Sequence, residues 1–142
     1  MRHTRERVPI EAIKMKRICV FMNVFNVHVN RSPIAGRAEQ IIYKEGQFLN
    51  ASLDKASDKN ERSSLVLSSE TGTKIVVVQI AGLIARRILS FISPNDQLSQ
   101  GERFGLIRFG SRVDIYMPLD AVEQCKVGEK VIAGESILAI LK

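Results

Sequence analysis

The chain has 142 residues, 45% of them hydrophobic and 25% charged, with 9 Gly, 2 Cys and no Trp. That suits one domain with enough apolar material for a core, and it excludes a disordered tail and a collagen-like fibre. Lys and Arg number 21 against 15 Asp and Glu, and the net charge of +6 favours an anionic partner (nucleic acid, acidic protein or lipid surface) without choosing among them.

In chain order, residues 1–17 carry much of that excess (Arg2, Arg5, Arg7, Lys14, Lys16, Arg17) and show no periodicity. They are expected to be a poorly ordered basic lead-in to a domain over 18–142; no apolar run follows them, which excludes a secretory signal peptide. Ile18, Val20, Met22 and Val24 alternate on one parity, and Phe25, Val27 and Val29 on the other. β-Branched residues at period two predict a strand, and the switch at Val24-Phe25 predicts a bulge or bend. Past the switch Asn26, His28 and Asn30 share one face, and Arg31-Ser32-Pro33 ends the strand. Ile41-Ile42-Tyr43 predicts a short strand closed by Glu45-Gly46, and the polar stretch 50–63 a loop. Leu65-Val66-Leu67 and Ile75 to Ile80 predict two strands joined at Glu70-Thr71-Gly72. Leu83 to Leu89 reads as strand or short helix. Phe104 to Met117 reads as one long strand whose apolar face is interrupted at its centre by Ser111. The tail reads as short strands punctuated by Gly128-Glu129 and Gly134-Glu135. The longest apolar stretch, Ile75 to Ala85, falls short of the about 20 residues a helical span takes, so no part of the chain is expected to cross a membrane. Many short strands with glycine turns and little helix predict a mostly β domain.

Zincin, Walker, nucleophile-elbow and dinucleotide motifs are all missing from the sequence. His3 and His28 are too few for a histidine metal site, and Cys19 and Cys125 match no zinc or redox spacing, so no metal is expected. The most suggestive local feature is Phe109-Gly110-Ser111. A glycine inside a strand pattern marks a close approach or a bend, and a hydroxyl beside that flexible peptide is well placed for an N→O acyl shift. Gly-Ser in a strand is, by itself, far more often a bend. His28 titrates near neutral pH and suits acid–base work, although a lone strand histidine is usually structural. Arg86-Arg87, Arg108 and Arg112 are charged side chains able to grip a carboxylate or phosphate, or simply solvated ones.

The stretches VFNVHVNRSP (24–33), LDKASDKNER (53–62), VQIAGLIARRI (78–88) and GERFGLIRFGSRVDIYMP (101–118) resemble the short bacterial class of phosphatidylserine decarboxylase proenzymes. The four stand in the right order, and the resemblance runs from about Ile18 to Leu141. The glycine-glutamate turns of the tail also resemble the biotinyl/lipoyl-type barrel-sandwich hybrid, without the hairpin lysine of a swinging-arm carrier. The expected fold is therefore a mostly β, barrel-sandwich-hybrid-like domain.

The resemblance implies a self-cleaving proenzyme. Ser111 Oγ attacks the Gly110 carbonyl, and β-elimination from the resulting ester frees a β chain, 1–110, from an α chain, 111–142. Hydrolysis of the dehydroalanine left at residue 111 yields a pyruvoyl group, the cofactor, which serves as electron sink for decarboxylating phosphatidylserine to phosphatidylethanolamine. The resemblance makes His28 the proton-transfer residue and Asn30, Arg62 and Arg87 candidates for holding the carboxylate and phosphate. It implies a peripheral enzyme at the cytoplasmic face of the cell membrane, made of its own two cleaved chains; an exposed strand edge offers a route to a homo-oligomer.

Family members usually carry an upstream apolar segment and a Pro-Ala-Asp-Gly motif whose aspartate works with the histidine. Neither that motif nor any aspartate within residues 1–17 occurs in this sequence. A rival expectation follows: a truncated, non-processing remnant that only binds anionic lipid. A nucleic-acid-binding β domain is the weakest reading, because aromatic residues make up 6% and no stacking platform is visible, so no nucleic-acid partner is expected.

Overall fold

Runs of β-branched residues dominate the chain, and they form strands throughout. A computed structural model describes residues 14–22, 27–46, 60–82, 88–108 and 111–142, with Val27, His28 and Arg108 described by backbone alone. Among the described residues the elements are all strands: β1 (Lys16–Met22), β2 (Val27–Arg31), β3 (Gly36–Lys44), β4 (Arg62–Ser68), β5 (Lys74–Ile80), β6 (Ile88–Ser90), β7 (Gln97–Leu98), β8 (Arg103–Arg108), β9 (Ser111–Met117), β10 (Val122–Glu123) and β11 (Ala139–Ile140). The chain is mostly β, as its periodicity predicts.

Three antiparallel sheets result. The large one has the order β1-β9-β5-β4-β3-β7, the second β2-β8-β6, and the third is the pair β10-β11. The β4–β5 hairpin closes as the sequence predicts, at Glu70-Thr71-Gly72, where Gly72 takes a φ of 89° that a side chain would resist. Leu65, Leu67, Ile75, Val77, Val113, Ile115 and Met117 of the large sheet face Phe104 and Ile107 of β8 across the main core. Leu138, Ala139 and Leu141 of the tail pack on the same core. The opposite face of the large sheet carries a second buried cluster, Val66, Val76, Val78 and Ile80. β5 is therefore apolar on both faces, which explains its unbroken KIVVVQI.

Two expectations need correction. Phe104 to Met117 is not one strand: β8 lies in the small sheet and β9 in the large one, with 109–110 between them outside the described residues. Likewise β1 and β2 belong to different sheets, and the predicted parity switch at Val24-Phe25 falls within 23–26, also outside the described residues. The two crossings coincide, for Met22 pairs with Ser111 on one side and Val27 with Arg108 on the other. Period-two alternation is blind to this, since a strand that changes sheet keeps its alternation. Smaller differences are that β1 starts at Lys16, inside the predicted lead-in, that β3 is longer than the predicted Ile41-Ile42-Tyr43, and that Arg62 and Ser63 are strand rather than loop. Residues 83–87 lie outside the described residues, and Ile88–Ser90 is strand.

Candidate active site at the sheet corner

Ser111 opens β9 at the point where the paired strands leave one sheet for the other. β9 is an inner strand, held by β1 on one side and β5 on the other, so Ser111 is 3% exposed although it starts an element. Among the described residues its hydroxyl donates only to Met22 Sδ, at 4.0 Å, which is a weak acceptor. Ser111 has the parity of Val113 and Ile115, so it lies on the face turned toward the small sheet.

Across the corner, β2 turns Asn30 inward. Asn30 is 6% exposed, and its Oδ1 accepts a hydrogen bond at 2.7 Å from Gln79 Nε2 of β5. That bond ties the two sheets. Asn30 is paired with Gly105, whose missing side chain makes room, since a Cβ there would lie 2.6 Å from Gln79 Nε2. His28, of the same parity as Asn30, is paired with the fully buried Ile107 one step nearer the corner. By register His28 and Ser111 therefore flank the same corner, one in each sheet.

The remaining candidates divide. Gly110 and Arg87 lie outside the described residues. Arg62 starts β4 at the Ser111 end of the large sheet, but it pairs with Ile80, which pairs with Arg112. Paired residues share a face, so Arg62 is on the side opposite Ser111. Arg112, considered above as an anion grip, is 0% exposed and committed to Asp114: Nε lies 2.9 Å from Oδ1, and Nη2 donates to Oδ2 at 3.1 Å. The Phe21 ring lies over the guanidinium, 5.6 Å from centroid to Cζ, and Arg17 reaches Asp114 at 3.8 Å. Cys19, paired with Asp114 across β1 and β9, has its thiol pushed up by burial and by the hydrogen bond and charge of Asp114.

Sequence reasoning missed Gln79, Asp114 and a third group near the same end. Asn60 donates to Ala81 O at 2.6 Å, Ala81 N donates to Glu61 O at 2.9 Å, and Tyr43 donates its hydroxyl to Glu61 Oε2 at 2.5 Å. Glu61 is 3% exposed, and its Oε1 has no hydrogen-bond partner among the described residues. The available signal was a polar residue inside an apolar strand: Gln79 ends VVVQ and Asp114 interrupts VDIYM. Among the described residues no cluster of three or more His, Cys, Asp or Glu is placed to hold a metal, and no helix is long and apolar enough to cross a membrane.

Two of the four stretches quoted above, 24–33 and 101–118, supply the paired strands β2 and β8 of this corner. No solved structure matches the chain. The model of the family described as phosphatidylserine decarboxylase matches residues 4–139. That span is nearly the whole sequence, and the chain belongs to the phosphatidylserine decarboxylase family.

Proposed function

We propose that the chain is a proenzyme that cuts itself between Gly110 and Ser111 and then decarboxylates phosphatidylserine. The observation that carries the reading is the seat of Ser111, a buried serine at a sheet-changing corner whose hydroxyl has, among the described residues, only a thioether for partner. Ser111 Oγ adds to the Gly110 carbonyl, the bond to the Ser111 nitrogen breaks, and an ester links the two halves. His28 takes the proton from Oγ and later the Cα proton of residue 111 as the ester carboxylate leaves. Water then replaces the nitrogen, and ammonia departs.

The pyruvoyl group made this way fits the residues present, since it needs only the atoms of Ser111 and an inner strand to hold them. It would supply the electron sink for loss of carbon dioxide from the amino-acid headgroup. Around it Asn30 Nδ2, which makes no hydrogen bond among the described residues, is a donor for the substrate carboxylate. Arg87 is the cation for the lipid phosphate; Arg62, on the opposite face of the large sheet, takes no part in this role. The net charge of +6 suits peripheral work at an anionic lipid surface, the cytoplasmic face of the membrane.

The test is the intact mass of the purified, denatured protein. Two chains divided at Gly110-Ser111 are expected, the smaller lighter than a serine-started peptide by one ammonia, while Ser111→Ala stays whole. A wild-type chain that remains whole overturns the reading and leaves an unprocessed lipid-binding protein. A liposome assay on the cut protein, following carbon dioxide from carboxyl-labelled phosphatidylserine, tests the second step.

A further inference from the structure

Self-cleavage sets a mechanical problem that the proposed function does not address. The reactive group sits on the first residue of a new chain, and chain ends fray unless tied down. A pyruvoyl end carries no ammonium, so it has no ion pair of its own to hold it. Met22 is the ladder partner of residue 111, and the register with β5 begins only at Arg112.

Arg112 is the next residue along, and it is the largest fully buried side chain among the described residues. Alternation sends it to the face opposite Ser111, where Nη2 donates to Oδ2 of Asp114, two places further on the same strand, at 3.1 Å, and Nε lies 2.9 Å from Oδ1. Phe21, the β1 partner of Arg112, covers the guanidinium, and Arg17, two places before Cys19 on β1, reaches the carboxylate at 3.8 Å. A buried ion pair is poor evidence for stability, because well-packed apolar residues of similar size often do as well or better. It does restrict geometry, since a fully buried guanidinium held against a carboxylate with a ring over it has little room to slide or twist.

We infer that Arg112 and Asp114 are positioning residues that clamp the start of β9, so that the group at residue 111 keeps its place once the chain is cut. The inference rests on the proposed cleavage. It predicts that the cut loosens nothing: both members of the pair lie on β9 after the cut, and Phe21 and Arg17 of β1, whose own chain is not broken there, contact them.

Two measurements test it. Hydrogen exchange at the amides of 112–114 is compared in the cut wild type and in uncut Ser111→Ala. Equal protection is expected, and fast exchange confined to the cut protein overturns the inference. The second is the paired variant Arg112→Met/Asp114→Leu, which removes both charges and strands neither. It should fold and cleave like the wild type, with KM unchanged and kcat lowered about 10²-fold, the loss associated with a reacting group misplaced by roughly 1 Å. Restoring the pair as Arg112→Lys with Asp114 intact should return part of kcat, because lysine keeps the charge and loses the fork. A paired variant with wild-type kcat overturns the clamp while cleavage stands. A wild-type chain that never cuts removes both readings, for there is then no new end to hold.

Discussion

Gln79 reaches from the large sheet to Asn30 in the small one, and Gly105, the ladder partner of Asn30, is empty where that amide passes. A hydrogen bond between neutral side chains thus spans the core close to Ser111, in a layer otherwise filled by Val77, Ile107 and Val113. It costs no buried charge and fixes the separation of the two sheets beside the corner.

Gly105→Ala should therefore be costly although it adds one methyl group. The new Cβ would meet Gln79 Nε2 at 2.6 Å and the backbone oxygen of Leu89 at 2.7 Å, and the second contact has no flexible end to give way. A loss of about 1–3 kcal/mol is expected, read as a lowered midpoint in urea unfolding. Gln79→Leu/Gly105→Ala should recover nothing, because it clears the first clash, leaves the second and strands the buried Asn30 Oδ1 without its donor.

His28→Ala addresses the corner from its other side. If His28 moves protons for chain cleavage or for decarboxylation, the affected step slows by about 10²–10⁴-fold. Timed mass spectra of freshly refolded protein measure the first step and carbon dioxide release the second. Rates within twofold of wild type in both would remove His28 from the site.

Acid sensitivity should be traceable to Glu39. The Lys74 ammonium, bonded to Glu39 Oε1, holds its carboxyl below the ordinary range, aided by Ser68 and by Arg37 at 3.5 Å, and opposed by burial. A lowered carboxyl pKa stabilises fully above the unfolded value, about 4.3, and the benefit fades as pH falls through the lower folded value. Glu39→Gln should cost under about 1 kcal/mol at pH 7, as partly exposed pairs do, and the gap to wild type should close below about pH 4. Urea melts at both pH values check this.

Cys19 should respond in the opposite direction. Burial and Asp114 raise its thiol pKa, so the folded state favours the protonated form. A raised value gives stability that is complete below the unfolded pKa, near 8.5, and is lost as pH climbs through the folded one. In a Cys125→Ser background, iodoacetamide labelling of native protein should have its midpoint above about 8.5 and shift down in urea.

How much was legible in advance follows from what alternation encodes. The strands at Leu65-Val66-Leu67 and Ile75–Ile80, and the turn between them, were readable because hairpin neighbours are close in sequence. The division of Phe104–Met117 between two sheets was not, since the partners that separate it, Val27 and Met22, lie more than 80 residues away. Ser111 was readable as an oddity on an apolar face. Its burial was not, because that depends on β1 and β5 closing over β9 from both sides. Arg112 was misread for the same reason: charge suggests solvent until the partner carboxylate at Asp114 is seen on the same inner strand.

The corner also bears on how a cut molecule would age. Each side of a break between 110 and 111 remains woven into its own ladder, β8 between β2 and β6, β9 between β1 and β5. The halves would be a heterodimer born as a monomer, its interface formed while intramolecular closure was nearly free. Once unravelled, the α piece has to find the slot between two preformed neighbours from solution, against the full entropy of association. Processed protein should then be durable in use and poor at renaturation, whereas the uncut precursor refolds from one strand of information.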